Sequence, residues 1–175
     1  MEMTPNEVNI SMEQFHKLSS NWTMWAHLPH DTNWSLDSYK KIHGFNDVEN
    51  GVALCESIPE KMIKNCMLFL MKEDIKPTWE DPLNMNGGCF SYKIMNKNVQ
   101  EIWIKMFYGL IGNTLSNDLE YLEDITGITI SPKKNFCIIK IWMKSCDHQD
   151  PSKINVSNIK GLTNQGCIFK KHISQ

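Results

Sequence analysis

A chain of 175 residues has room for one domain with a sizeable core, and 41% hydrophobic against 22% charged residues excludes disorder along its whole length. A net charge of -2 and a pI near 6.3 exclude a broadly basic, nonspecific nucleic-acid binder while leaving room for a local lysine patch. All 18 basic residues are lysines, so any phosphate contact uses point charges rather than rigid bidentate forks.

Residues 1–18 are polar, carry Thr4-Pro5-Asn6 and show no sustained period, which reads as a flexible tail ahead of a single domain over 19–175. "NWTMWAHL" (21–28) reads as a strand carrying Trp22 and Trp25, and "HDTNWS" (30–35) is turn chemistry with Trp34 inside it. "NDVENGVALCESI" opens a helix on Asn46, with Glu49 three residues on completing a capping-box signature. "CMLFLMK" (66–72) is an apolar run of strand length. "IKPTWEDPLNMNGGC" (75–89) sets Trp79 against Glu80 and Asp81, then bends through a glycine pair.

"CFSYKIM" (89–95) alternates, with Phe90, Tyr92 and Ile94 on one side. "VQEIWIKMFYGLIG" places Val99, Ile102, Trp103, Met106 and Leu110 on one helical face, Gly112 at the stop, and Ile104 and Tyr108 toward water. "FCIIKIWMK" (136–144) alternates again: Cys137, Ile139, Ile141 and Met143 share one face, and Ile138, Lys140, Trp142 and Lys144 share the other. "SKINVSNIKGL" reads as a short helix and "CIFKKH" as a final strand. Strands in hairpin-like runs outnumber helices, so the fold class is α+β: a largely antiparallel sheet with helices on one face and the other face left to water or ligand.

The six cysteines form no CxxC pair and no His/Cys ligand spacing, so they read as reduced, buried thiols; no metal and no cofactor is expected. No basic start, leading apolar run or membrane-spanning segment is present in the sequence, so the expectation is a cytoplasmic chain without a membrane partner.

Trp22, Trp25 and Trp103 lie on periodic apolar faces, where large aromatics anchor cores. Trp34 in a polar turn, Trp79 beside two acids and Trp142 on the polar face of a strand do not fit that role. Two indoles can hold a flat ring between them, with stacking worth on the order of 1–3 kcal/mol per base. Cation–π attraction adds roughly 2 kcal/mol when the ring is positive and the site dry. A carboxylate beside the stack accepts from a ring edge with two adjacent donors, which among nucleobases is the Watson–Crick edge of guanine. Methylation on its imidazole nitrogen makes that ring cationic, so indole and acid together select 7-methylguanine, the base of the mRNA cap.

"NWTMW", Trp34, "YKKIHGFNDVE", "IKPTWED", "NGG", "EIWIKMFYGLIG" and "IIKIWMKSC", in that order and spacing over about residues 20–146, resemble the eukaryotic initiation factor 4E family of mRNA cap-binding proteins. The resemblance implies a cupped, mostly antiparallel sheet with about three helices on its convex face and the cap in the concave slot. It implies that Trp34 and Trp79 sandwich the base and that Glu80 accepts its two donors. The backbone amide of Trp79 would reach the carbonyl oxygen, and Trp142 would contact the methyl group. The expected role is translation initiation in the cytoplasm, with no enzymatic step and capped mRNA as partner.

The chain departs from the family in three places. Cys89 stands where an arginine follows the glycine pair. A second family arginine aligns with Lys133, or with Lys134 if the turn slips, and a family lysine aligns with Ile138; Lys140, on the same strand face as Trp142, offers a substitute for the phosphates. The interval from Trp34 to Phe45 is long for the family, which makes Tyr39 an alternative stacking partner. On the convex surface, Val52 replaces the tryptophan that grips a helical peptide of scaffold factor 4G, Gly51 replaces an aromatic, and Lys105 replaces an acid. The remaining patch of Val48, Val52, Ile104 and Tyr108 is shallower. Losing such an indole forfeits at least ~2 kcal/mol at many interfaces, so weak scaffold binding, an altered helical partner, or a cap-sequestering repressor are the expectations. Only a short segment follows Cys146, so the family's C-terminal helix and cap-proximal loop look truncated. These departures, and a composition suited to an AT-rich genome, fit a divergent member, from a virus or a divergent protist, acting in the cytoplasm, which for a virus is the host's. An enzyme using Glu80 or Asp81 as general base lacks a nucleophile–histidine pair or metal cluster visible in the sequence.

Overall fold

The computed structural model describes residues 15–173. Seven strands run β1 (Lys17–His27), β2 (Tyr39–Asp47), β3 (Met67–Lys72), β4 (Gly88–Met95), β5 (Ile125–Pro132), β6 (Phe136–Met143) and β7 (Ile168–Lys171). They form one antiparallel sheet in the order β2-β1-β3-β5-β6-β4-β7, and the sheet is curved. Four helices complete it: α1 (Val48–Ser57), α2 (Glu60–Asn65), α3 (Val99–Ile111) and α4 (Leu119–Asp124).

Period-two alternation assigns each side chain to a face. Leu68 and Leu70 of β3, Ile128 and Ile130 of β5, Ile139 and Ile141 of β6 and Phe90 of β4 are fully buried on the convex face, where the helices lie. The predicted stripe on α3 is there: Val99, Ile102, Trp103 and Met106 are fully buried and Leu110 nearly so, with Phe107 added to it. Each such side chain contributes roughly 1.5–3 kcal/mol on burial, so this helix–sheet layer supplies most of the fold's driving force. Gly51 lets α1 sit close against it, because a Cβ there would lie 2.8 Å from the Phe45 ring and 3.1 Å from Ile111.

The opposite face carries a second, smaller cluster: Phe69, Met71, Ile75, Cys89 and Trp142, with Trp25, Tyr39 and Met67 packed on it. Register aligns its residues in rows. Trp25, Phe69, Thr129, Lys140 and Ser91 are successive cross-strand partners, and Met71, Gly127, Trp142, Cys89 and Lys170 form the next row.

Several expectations change. The cap of α1 is Asp47, whose carboxylate accepts from the Asn50 amide at 2.8 Å; Asn46 instead accepts from Lys17, and Glu49 binds His16. A carboxylate one residue later outcompetes the capping box because it also accepts from the Asn50 side chain. The helix read over 152–162 is a 3-10 turn at Pro151–Lys153 followed by irregular chain, since Ile154, Val156, Ile159 and Leu162 reach the core without helical hydrogen bonding. The four α-helices exceed the three expected, the short α2 and α4 being the pieces without a long periodic signal. Lys17 and Leu18 belong to β1, and the rest of the expected tail lies largely outside the described residues.

Asp47→Ala should lower stability by about 1 kcal/mol in urea unfolding, whereas Asn46→Ala should change it by no more than about 0.5 kcal/mol. The reverse order would restore the capping-box reading.

Candidate functional site

The chain between β3 and β4 carries Trp79, and its shape follows from two buried or half-buried polar side chains. Asn84, fully buried, donates from Nδ2 to the carbonyls of Lys76 and Thr78 at 3.2 and 2.9 Å and accepts from the Thr126 hydroxyl at 2.8 Å. Asp81 accepts from the Lys76 and Leu83 amides, each at 2.9 Å. Asp81 is therefore committed to holding the loop, while Glu80 beside it is exposed. Trp79, held between them, stays 48% exposed. The glycine pair closes the loop for a packing reason: a Cβ on Gly87 would lie 1.8 Å from the Met143 carbonyl, and one on Gly88 2.5 Å from that of Lys170.

Trp79 overhangs a cavity of about 230 Å³ lined also by Cys89, Ser91, Lys140, Trp142, Lys170, Lys171 and His172. Trp142 is on the face expected, but buried rather than presented to water: it forms the floor, donating from Nε1 to the Thr129 hydroxyl at 2.7 Å, with the His172 ring tilted across it at 5.0 Å. Lys140 joins this wall as period two implied. Lys133 does not line the cavity; it sits exposed in the β5–β6 turn, its amide bonded to the Phe136 carbonyl. The ion-paired lysines among the described residues are Lys64, Lys105 and Lys153, which leaves Lys140, Lys170 and Lys171 without a carboxylate partner there.

Cys89 pairs with His172. The imidazole donates from Nδ1 to the Asn84 carbonyl at 2.7 Å, so Nε2 is the acceptor for the Cys89 thiol, 2.9 Å away. Burial pushes the Cys89 thiol up to about 12 and holds the His172 pKa below its ordinary value, with Lys140 lowering it further. Thiol and imidazole are thus both neutral near pH 7: their bond ties β4 to the residue after β7, the Asn84 bond ties that residue to the Trp79 loop, and the thiol is not an activated nucleophile.

Trp34 lies on the other loop, between β1 and β2, and is 56% exposed. Its ring stacks on His27, and Tyr39 meets His27 edge-on. Burial raises the Tyr39 phenol pKa above its ordinary value, and the Glu80 charge adds to that rise. The site's aromatics thus fall into two groups, Trp79 and Trp142 lining one cavity and Trp34 stacked on His27. His27, Asn84, Lys170, Lys171 and His172 were not singled out from sequence. Alternation in "CIFKKH" does put Lys170 and His172 on one face, but only the register of β7 on β4 brings them to Cys89.

On the convex surface, Val48 is 39% exposed while Val52, Ile104 and Tyr108 are half-buried along α1 and α3, and Lys105 pairs with Glu101 at 3.0 Å.

The sequence profile of the Eukaryotic initiation factor 4E family matches residues 17–174. Eukaryotic translation initiation factor 4E-2 of Schizosaccharomyces pombe is 32% identical over 142 residues, covering 77% of this chain and 56% of that protein. The Saccharomyces cerevisiae factor 4E is 28% identical over 169 residues, covering 91% and 78%. Among solved structures, Ascaris suum eIF4E-3 in complex with an m7G cap aligns with a TM-score of 0.68 at 21% identity, over 77% of this chain and 76% of that one. Schistosome eIF4E, complexed with m7GpppG and a 4E-binding protein, aligns at 0.70 and 23% identity, over 78% and 76%. With a profile match spanning the whole described sheet and the same fold in these neighbours, the chain belongs to the eukaryotic initiation factor 4E family.

Proposed function

We propose that this protein binds the 7-methylguanosine cap of mRNA and acts in translation initiation. The observation that carries the reading is the pair of exposed indoles, Trp34 and Trp79, on the two loops flanking one aromatic sheet face, with Glu80 the acid the loop leaves free. In this reading the methylated base stacks between Trp34 and Trp79, Glu80 accepts from its imino and amino hydrogens, the Trp79 amide reaches the carbonyl oxygen, and the Trp142 ring lies toward the methyl group. The phosphates leave past Trp79 onto Lys140, Lys170 and Lys171, which line the same cavity. Lys133, in its turn, is the weaker candidate. Three ammonium groups then replace the family's arginine at Cys89, at a cost in geometric specificity because they are point charges.

The role is one of binding. The one thiol–imidazole pair in the site is neutral and buried, and Asp81 already accepts two backbone amides, so neither supplies a nucleophile or base. A cap-binding translation factor works in the cytoplasm, and no helix among the described residues is long and apolar enough to cross a membrane. On the convex face, Val48, Val52, Ile104 and Tyr108 form the contact for a helical partner such as a scaffold-factor-4G-like protein. A cap-sequestering repressor is the second reading, favoured by one feature: Val52 in place of an indole at the centre of that patch.

Titration with 7-methyl-GTP should quench tryptophan fluorescence at concentrations where GTP has no effect. Loss of the ring's charge should cost about 2–3 kcal/mol, roughly thirty- to over a hundredfold in affinity. Trp79→Ala or Glu80→Ala should abolish the response, and equal affinity for the two nucleotides would remove the reading. Lys140→Ala or Lys170→Ala should weaken 7-methyl-GTP about fivefold yet leave 7-methylguanosine unaffected, with Lys133→Ala close to wild type. In pull-down with a scaffold-type helical peptide, Val52→Trp should gain binding over the wild type if the partner surface has been weakened as argued; strong binding by the wild type itself would discard the repressor reading.

A further inference from the structure

We infer that His27 is a positioning residue for the base stack: its imidazole covers one face of the Trp34 indole and leaves the other as the face open to a flat cation. The inference rests on the cap-binding reading. Trp34 stands on a turn and is 56% exposed, so the convex-face core does nothing to hold it. An unheld indole has to be ordered when ligand arrives, at a cost in side-chain entropy.

His27 supplies the order at two points. It is the last residue of β1 and 2% exposed, so its own position is set by the sheet. Its ring lies 4.0 Å from that of Trp34 with only 3° between their planes, a parallel stack. From Nε2 the same imidazole donates to the carbonyl of Asn33 at 2.8 Å, which fixes the backbone immediately before the indole. Two further bonds stiffen that backbone, from the Asn33 amide to Asp31 and from the Ser35 amide to the Asn33 side chain, each at 2.9 Å. Behind His27 the contact continues to the sheet: Tyr39 meets it edge-on at 5.2 Å and meets Phe69 edge-on at 5.4 Å. Trp34 is therefore the outer end of a chain of rings anchored on β3.

The identity of the backing ring bears on selectivity. Nε2–H is engaged by a carbonyl in the ring plane, so it is the imidazole's π face that meets the indole, and the indole's far face is the one available to a positive ring. An alkyl side chain at 27 would leave the indole loose; a cationic one would compete for it.

Calorimetric titration of His27→Phe, His27→Gln and His27→Ala with 7-methyl-GTP and GTP separates the ring from the hydrogen bond, with thermal unfolding measured alongside. His27→Phe, which keeps the ring, should stay within about twofold of wild type and keep the preference for the methylated base; His27→Ala and His27→Gln should bind 7-methyl-GTP about two- to tenfold more weakly, while unfolding at lower temperatures that still leave them fully folded at the temperature of the titration. In the free protein, the His27 ring protons should resonate upfield under the Trp34 ring current and lose that shift in Trp34→Ala. Wild-type affinity in His27→Ala would overturn the inference, and tighter binding would do so by showing that the imidazole occupies the ligand's face. Unshifted ring protons would contradict the stack itself. Failure of the wild type to prefer 7-methyl-GTP would sink the functional reading and this role with it, a result distinct from normal binding that the alanine variant leaves unchanged.

Discussion

An antiparallel sheet covered by helices on one side buries that side completely and has to satisfy the other by different means. Here α3, with Trp103, Met106 and Phe107, joins the buried side chains of six strands, β1 to β6, in one core. The concave side is left with Trp25, Tyr39, Phe69, Thr129, Lys140, Trp142 and Cys89, a mixture of flat rings, a hydroxyl, a thiol and an ammonium group. Such a surface is too polar to collapse on itself and too aromatic to be left to water. Two loops, from β1 to β2 and from β3 to β4, lean on it and carry the exposed indoles.

Rigidity in those loops comes from polar groups rather than apolar packing. Asn84 draws carbonyls of its own loop, the Thr126 hydroxyl and, through its backbone carbonyl, His172 into one buried network. Each of its bonds is worth about 1 kcal/mol net, but leaving any one unmade inside the protein costs 1–3 kcal/mol, which is why such networks specify geometry more than they add stability. Cys89 joins the network through His172, and its cross-strand partner on the last strand is Lys170.

The sequence was most legible where periodicity was strong. The stripe of α3 and the alternation of β4 and β6 appear as read, because a 3.6 or a 2.0 period in burial leaves little choice of structure. The N-terminal cap of α1 was misplaced by one residue because "ND" offers two capping side chains and the sequence does not say which φ/ψ pair each adopts. The stretch from Ser152 to Leu162 looked helical because its apolar spacing resembles a helix, yet its apolar residues are buried one at a time by an irregular chain. At the site, Trp34, Trp79 and Glu80 stood out as residues in the wrong context for a core. His27, Asn84 and His172 did not, since a lone histidine or asparagine carries no periodic or motif signal and acquires its role only through contacts distant in sequence. Trp142 was assigned the right face and the wrong exposure, because nothing in a strand's alternation reveals that a loop from β3 will cover it.

The central claim is that two loop indoles, and not the core indoles, meet the ligand. The most direct test is the set of indole N–H signals in a ¹H–¹⁵N spectrum of the full chain, followed as 7-methyl-GTP is added. Trp34 and Trp79 should move most, while Trp22 and Trp103, sealed under the helices, should stay where they are. Movement of the core indoles with Trp34 and Trp79 unperturbed would contradict the account.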